Sequence, residues 1–345
     1  MRREQLANVC RWVLGGVFTF SGVVKCVDPV GTSVFVEKYL ATYSLEALLP
    51  AALIIAIALA VVEFTLGELL LSGRVHRATA VATLLFTLMF TIITLLSATI
   101  LPIGDCGCFG DAVRLTPMQT LVKNLVLLPM AVLLCLEAKA ERLNLLSLAT
   151  AVAISLGLNL YSLRYGPIID FMPYGEGVNL REEVVNERAL ADAEGDVSLV
   201  FRRVTTGEEV LFATTDTSCW EDASLEYVGT RELEATPTER LHFAELAIYD
   251  AEGNEVALEL LERESVTLLT VYDVKALERH LEHALRVVGE GATVLTSADA
   301  TVVGEMLSTK CYTIDAMTLR TMIRPRVGVI KLSQGTILSK SDVRD

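Results

Sequence analysis

The chain has 345 residues, of which 52% are hydrophobic, and its formal net charge is −14; the mean hydropathy is +0.48. It is too apolar for an ordinary water-soluble protein of that charge, and its acidity excludes a nucleic-acid backbone as partner. Position reconciles the two facts. Residues 1–165 hold 12 basic and 10 acidic side chains, a net of +2, whereas residues 166–345 hold 17 and 33, a net of −16. The first part reads as a membrane bundle and the second as an acidic soluble region.

Five apolar stretches lie in the first part, at about 8–26, 47–71, 78–101, 119–137 and 144–163. A hydrocarbon core takes about 20 helical residues to cross, and each stretch meets or approaches that length. The first has Arg11 near its start and Lys25 near its end, both able to snorkel, and no small-residue cleavage site, so it reads as a retained helix. Asp28-Pro29 ends it, because a residue before proline avoids the helical region. Residues 30–43 then read as a short amphipathic helix lying on the outer surface, with a Glu37-Lys38-Tyr39 patch. The second span carries Glu63 and Glu68, and the fourth carries Lys123 and Asn124. Ionisable groups inside a span usually face a partner or a cavity.

Basic residues in the short connections set the orientation. Arg2, Arg3 and Arg11 precede or begin the first span, Arg74 and Arg77 lie between the second and third, and Lys139 and Arg142 lie between the fourth and fifth. These regions read as cytoplasmic. The loop at 101–111 and everything after residue 165 then face outward, which in a bacterium is the oxidising periplasm. The expected location is the inner membrane, multi-pass, with a cytoplasmic N-terminus and a periplasmic C-terminal domain.

Beyond a Pro/Gly-punctuated linker at 164–175, residues 197–215 read as a β-hairpin turning at Thr205-Thr-Gly-Glu208, and 241–261 repeat the pattern around 250–254. From 266 the period changes: strand 266–272, helix 274–288, strand 292–296, helix about 298–307, helical turn about 315–323. A closing hairpin (327–332 and 336–339) turns at Gln334-Gly335. This is the order of a thioredoxin-like α/β unit. Pro325 stands where that fold carries a cis-proline. No cysteine follows the first strand, so the unit lacks the CxxC that dithiol exchange needs.

The chemistry concentrates in Cys106-Gly-Cys108. Glycine between the cysteines permits unusual backbone angles, so the sulfurs can approach each other. A ring that short is strained, and strain makes the bond easier to reduce. The pair is therefore a redox couple or, on the plainer reading, a loop tie. A metal site is not expected, since the four histidines lie elsewhere and two cysteines rarely suffice. Cys26 is either a resolving thiol for the pair or a small buried hydrophobe. Lys25 and Lys123 either stabilise a thiolate or a quinone oxyanion, or merely snorkel. Glu63 and Glu68 are candidate partners for those lysines, or proton relays. Cys10 and Cys135 lie toward the cytoplasmic side. Cys219 and Cys311 are lone cysteines of the outer region, candidates to pair with each other although nothing in their spacing says so.

Phe20-Ser-Gly-Val-Val-Lys25 followed by Asp28-Pro29, then Glu37-Lys38-Tyr39, Cys106-Gly-Cys-Phe-Gly110 and Lys123-Asn124 together resemble the methylamine utilisation protein MauE and its DoxX relatives. In plan they are also similar to the vitamin K epoxide reductase group, although that group uses CxxC. The resemblance covers residues 1–138 and implies a four-helix inner-membrane core linked to thiol–disulfide or quinone chemistry. The expected division is this core at 1–138, a fifth transmembrane helix at 139–165, a linker and β-rich segment at 166–265, and the thioredoxin-like domain at 266–345. Two functions compete. One is a thiol–disulfide oxidoreductase acting on a periplasmic client, with a membrane quinone as its electron carrier. The other is a non-catalytic assembly factor whose outer domain binds a partner. The lipid bilayer is a partner under both.

Overall fold

The computed structural model describes residues 2–72, 76–100, 107–110, 112–113, 115–138, 144–194, 197–203, 209–212, 218–222, 224–232, 243–244 and 246–344. Cys106 lies outside them. The chain forms two compact units that do not follow chain order: residues 1–175 with 316–328, and residues 176–315 with 329–345. The sequence reading instead drew boundaries at 138, 165 and 265.

The first unit is helical. Its elements are α1 (Arg2–Val27), α2 (Pro29–Thr42), a 3-10 turn (Glu46–Ala51), α3 (Ala52–Leu71), α4 (Arg77–Thr99), α5 (Pro117–Glu137) and α6 (Leu145–Tyr165). Five of its helices are long and apolar enough to cross a membrane, in the stretches read from sequence. The protein is a multi-pass membrane protein.

Helices α1 and α3 make the closest pair, and two glycines explain why. A Cβ on Gly22 would lie 2.3 Å from the backbone nitrogen of Phe64, and one on Gly67 would lie 2.4 Å from that of Thr19. Backbones can touch only where side chains are missing, which is how helices associate when lipid offers no hydrophobic drive. Arg11 locks the same pair at its other end. It is buried, and it donates to the Leu70 carbonyl at 2.8 Å and the Leu71 carbonyl at 3.3 Å. It therefore caps the C-terminus of α3, where a cation is favourable, rather than snorkelling.

Helix α4 buries Thr79, Thr83, Thr87, Thr91, Thr94 and Ser97. Thr83, Thr87 and Thr91 each donate to the carbonyl four residues back, which lets hydroxyls sit inside a bundle. A capping box opens α5: Thr116 accepts from the Gln119 amide, and the Gln119 side chain accepts from the Thr116 amide. Along α6 the buried face is Ala151, Ser155, Asn159 and Ser162.

Asp28 ends α1 as expected and also begins α2. Its carboxylate accepts from the Gly31 amide at 2.8 Å, and Pro29 occupies the first helical position. Helix α2 forms where the sequence predicts a helix, but its packing face was not foreseen. Its buried side is Gly31, Thr32 and Ser33 as well as Val34 and Leu40, so it packs by small and polar groups rather than floating on an apolar stripe. The helix Ala316–Met322 and the residues after it belong to this unit.

The second unit holds two sheets. Strands β1 (Val197–Arg203), β2 (Glu209–Phe212) and β3 (Leu225–Glu232) form an antiparallel sheet in the order β2-β1-β3. The hairpin was expected; β3 was not. The second sheet contains β4 (Ile248–Tyr249), β5 (Ser265–Val271), β6 (Thr293–Thr296), β7 (Cys311–Ile314), β8 (Val327–Ser333) and β9 (Thr336–Asp342), in the order β4-β7-β6-β5-β8-β9. Strands β5, β6 and β7 run parallel, joined by helices. The β8–β9 turn has positive φ at both Gln334 and Gly335, as a tight primed hairpin turn requires. Three expectations are corrected. Residues 257–262 are helical, so among the described residues 241–261 holds one short strand, β4, and the expected turn at 250–254 is closed only by an antiparallel bridge from Tyr249 to Glu255. A further strand, β7, lies between β4 and β6 and follows the helix Ala300–Leu307. No cis peptide occurs among the described residues, so the bond before Pro325 is trans.

Candidate functional site

The loop that carries Cys108 is seated in the membrane unit by its backbone. The Cys108 carbonyl accepts from both Lys25 Nζ and Ser21 Oγ, one turn apart on α1. Lys25 also donates to Ser21 Oγ at 2.8 Å and to Glu63 Oε2 of α3 at 2.8 Å. All three ammonium protons are thus engaged, and the side chains of the Lys25–Glu63 pair are only 4% and 5% exposed. The Gly22–Phe64 approach brings α3 near enough to α1 for this pair to close. Gly107 stands at φ +58, and a Cβ there would lie 2.8 Å from the Phe35 ring. Only glycine fits that backbone and that space.

Phe109 ties the loop on its other side. Lys123 Nζ lies 4.4 Å from the centroid of its ring, within cation–π range. The Phe20 ring meets it edge-on at 5.4 Å. Asn124, next to Lys123, donates to Thr94 Oγ1 at 3.2 Å and so joins α5 to α4.

Of the residues singled out by sequence, Cys108, Lys25 and Lys123 therefore meet at this loop. Lys25 reaches the Cys108 backbone, and Lys123 reaches the neighbouring ring. Glu63 is the carboxylate that pairs with Lys25, while Glu68 lies 3.5 Å from Thr19 Oγ1 instead. Cys26 is fully buried elsewhere in the packing, among Ala60, Phe64 and Ala151, and accepts from Asn159 Nδ2 at 3.2 Å. The redox partner assigned to Cys108, Cys106, lies outside the described residues. Cys219 packs against Phe201 and Leu225, whereas Cys311, on β7, carries a free thiol, so the two do not pair. Burial pushes the Cys311 thiol pKa above its ordinary value.

Sequence reasoning gave Ser21 and Phe109 no role, although both fall within the quoted motifs. It missed Arg324 altogether. This buried arginine grips Asp28 with Nε and Nη2, at 3.0 Å and 2.8 Å to Oδ2, and reaches Asp170 at 3.1 Å. Arg320, one turn earlier, pairs with Glu37 at 2.6 Å and donates to Ser33 Oγ at 3.2 Å. Two arginines of the 316–328 segment thus hold the α1–α2 elbow, three residues beyond Lys25.

Two cavities adjoin the loop. One of about 40 Å³ is lined by Ser21, Glu63, Thr87, Cys108, Lys123 and Asn124 among others. Its wall is mainly apolar with a few polar groups, and it has room for water but not for an organic ligand. The other, of about 270 Å³, is bordered by Lys25 and Gly107 and lined mainly by apolar side chains of α2, α3 and α4.

Residues 3–137 match the family model of the methylamine utilisation protein MauE. The match takes in the first four spans, the Cys108 loop, Lys25, Glu63 and Lys123, and it stops before α6 and the second unit. No curated protein and no solved structure matches the chain.

Proposed function

We propose that this is an inner-membrane protein of the MauE/DoxX type that exchanges thiols for disulfides with a periplasmic client through Cys106 and Cys108. The observation that carries this reading is the seating of the Cys108 carbonyl on Lys25 and Ser21, with Glu63 balancing the lysine. A loop tied only for shape needs no buried ion pair beneath its cysteine. An ion pair buried within a membrane-spanning bundle is expensive and marks a functional position more often than a structural one.

In the exchange, a client thiolate attacks the Cys106–Cys108 disulfide and forms a mixed disulfide. A second client thiolate displaces it, leaving the client oxidised and both loop cysteines reduced. Two electrons and two protons have then entered the loop. A membrane quinone supplies the chemistry for taking them up. The chain's own part is to hold the loop fixed through Lys25, Ser21 and Lys123, and to offer Glu63 beside a water-sized cavity for protons.

The orientation rests on the basic residues at 2–11, 74–77 and 139–142, which favour the cytoplasm. The parallel β5–β6 crossover beside the β8–β9 hairpin supports a thioredoxin-like plan for the second unit. Without a cysteine after β5, that unit serves to bind the client rather than to exchange with it.

The test is reconstitution of the full chain in proteoliposomes with ubiquinone and a reduced ribonuclease as model client. Disulfide formation in the ribonuclease should require both cysteines, so Cys106→Ser and Cys108→Ser should each abolish it. Full activity in either variant would leave the loop as a tie, and the protein as an assembly factor.

A further inference from the structure

We infer that residues 316–328 position the Cys108 loop, with Arg320 and Arg324 as positioning residues that act through α2. The inference goes beyond thiol exchange and does not depend on it.

The first link is the grip on α2. Arg324 is buried, and its own segment sets its direction. Its Nη1 donates to the carbonyls of Arg320 at 2.9 Å and Thr321 at 2.8 Å, near the C-terminal end of the helix Ala316–Met322. That leaves Nε and Nη2 for the Asp28 carboxylate, which also caps α2 through the Gly31 amide. Nη2 further reaches Asp170 Oδ1, and that oxygen accepts from the Met172 amide. One guanidinium thus ties together three stretches of chain: the α1–α2 elbow, residues 170–172 and its own segment. Arg320 takes hold further along α2, donating to Ser33 Oγ at 3.2 Å and pairing with Glu37 at 2.6 Å. All these residues belong to the same compact unit.

The second link is the opposite side of α2. Ser33 and Glu37 are four residues apart and share a face. Phe35 lies midway between them, about 200° round the helix from either. Its ring stands against the loop, since a Cβ on Gly107 would lie 2.8 Å from it. Helix α2 is therefore held between the arginines on one face and the Cys108 loop on the other. Little slack separates them. The gap among Asp28, Gly31, Phe35, Gly110 and Met172 is only about 10 Å³, at the limit for one water. A Cβ on Gly31 would collide with the Asp28 carboxylate and come within 3.0 Å of Met172 Cε. Packing this close transmits a shift instead of absorbing it. The loop's other supports come from α1 and α5: Lys25 and Ser21 hold the Cys108 carbonyl, and Lys123 lies over Phe109. Losing the grip on α2 should thus loosen the loop without releasing it.

The experiment uses the full-length protein in nanodiscs in a Cys106→Ser background, so that Cys108 is the loop's single thiol. After reduction, its alkylation by N-ethylmaleimide is followed by mass spectrometry. Arg320→Glu and Glu37→Arg should each speed alkylation of Cys108 roughly fivefold or more, as local opening does. Cys10, buried toward the other end of α1, should keep its rate. The swapped pair Arg320→Glu/Glu37→Arg should recover most of the protection, and no recovery would overturn the inference. Equal acceleration at Cys10 would also overturn it, because the whole bundle would then have loosened. Phe35→Ala should speed alkylation by itself, and Arg320→Glu added to it should change little; two effects that multiply in full would show that α2 does not carry them. Arg320→Gln removes the charge more gently if the reversals fail to fold, and the starting rate in that folded variant would sink the proposal. Alkylation needs neither client nor quinone, so its outcome is independent of the ribonuclease assay.

Discussion

Lys25 of α1 and Glu63 of α3 form an ion pair of 2.8 Å in which neither side chain is more than 5% exposed. Removing one member of such a pair strands the other charge, at a cost of about 3–5 kcal/mol, whereas replacing both by apolar groups of similar size is close to neutral. Lys25→Met and Glu63→Leu should each lower stability by that amount, and the double variant should recover most of it. Unfolding of the protein in mixed micelles measures the cycle. Simple additivity would mean that the charges do not couple. A second readout separates positioning from mere stability. Lys25→Met deprives the Cys108 carbonyl of one of its two side-chain donors, so maleimide labelling of Cys108 should quicken at denaturant levels where the bundle stays folded.

The helix crossing makes its own prediction. A side chain at Gly22 would meet the Phe64 backbone, which cannot move aside as a flexible side chain can. Gly22→Val should cost about 1–3 kcal/mol by overpacking. It should also push Glu63 away from Lys25, so its effect and that of Lys25→Met should fall well short of adding. Additive losses would place the cost of the crossing elsewhere.

These two pairings show what the sequence makes legible. Charges within a 20-residue apolar run demand partners, so Lys25 and Glu63 were both candidates before any contact was known. The five spans were legible for the same reason, since apolar composition over that length has few other uses. Helix α2 was legible as a helix, but its packing face was not, because glycine, threonine and serine are buried there beside Val34 and Leu40 and no hydrophobic period reveals them. Strand β7 is four residues long and follows a left-handed Ser308, too short for an alternating pattern to emerge. Strand β3 carries a glycine and several charges in Leu225–Glu232, which dilutes its alternation. Arg324 was invisible because its partner Asp28 lies 296 positions away and only the folded chain brings them together.

Cys311 provides an internal contrast for any labelling study. Burial raises its thiol pKa, so thiolate is scarcer there than at an ordinary cysteine at the same pH. Alkylation of native Cys311 should stay slow around pH 8 and accelerate only above the ordinary thiol range, with full reactivity on unfolding. The linkage has the matching sign. The folded state prefers the neutral thiol, so its contribution is complete below the unfolded pKa and is lost as pH rises through the raised folded value. Rapid native labelling at neutral pH would contradict the buried placement.

The Arg324–Asp28 contact tests whether the 316–328 segment is needed to hold the α1–α2 elbow. Asp28 serves twice, as the N-cap of α2 and as the carboxylate gripped by Arg324. Arg324→Ala leaves that buried carboxylate without its fork, an expected loss of about 3–5 kcal/mol. Arg324→Lys keeps the charge but not the planar two-nitrogen grip, so it should restore only part of the loss. Asp28→Asn keeps the cap, worth about 1 kcal/mol, and removes the ion pair. It should therefore resemble Arg324→Ala in stability, and combining the two should cost little more than either alone. Limited proteolysis gives a local readout: cleavage within 29–42 should rise in Arg324→Ala before the remaining helices are attacked. Unchanged protection of α2 in that variant would show that the elbow stands without the arginine.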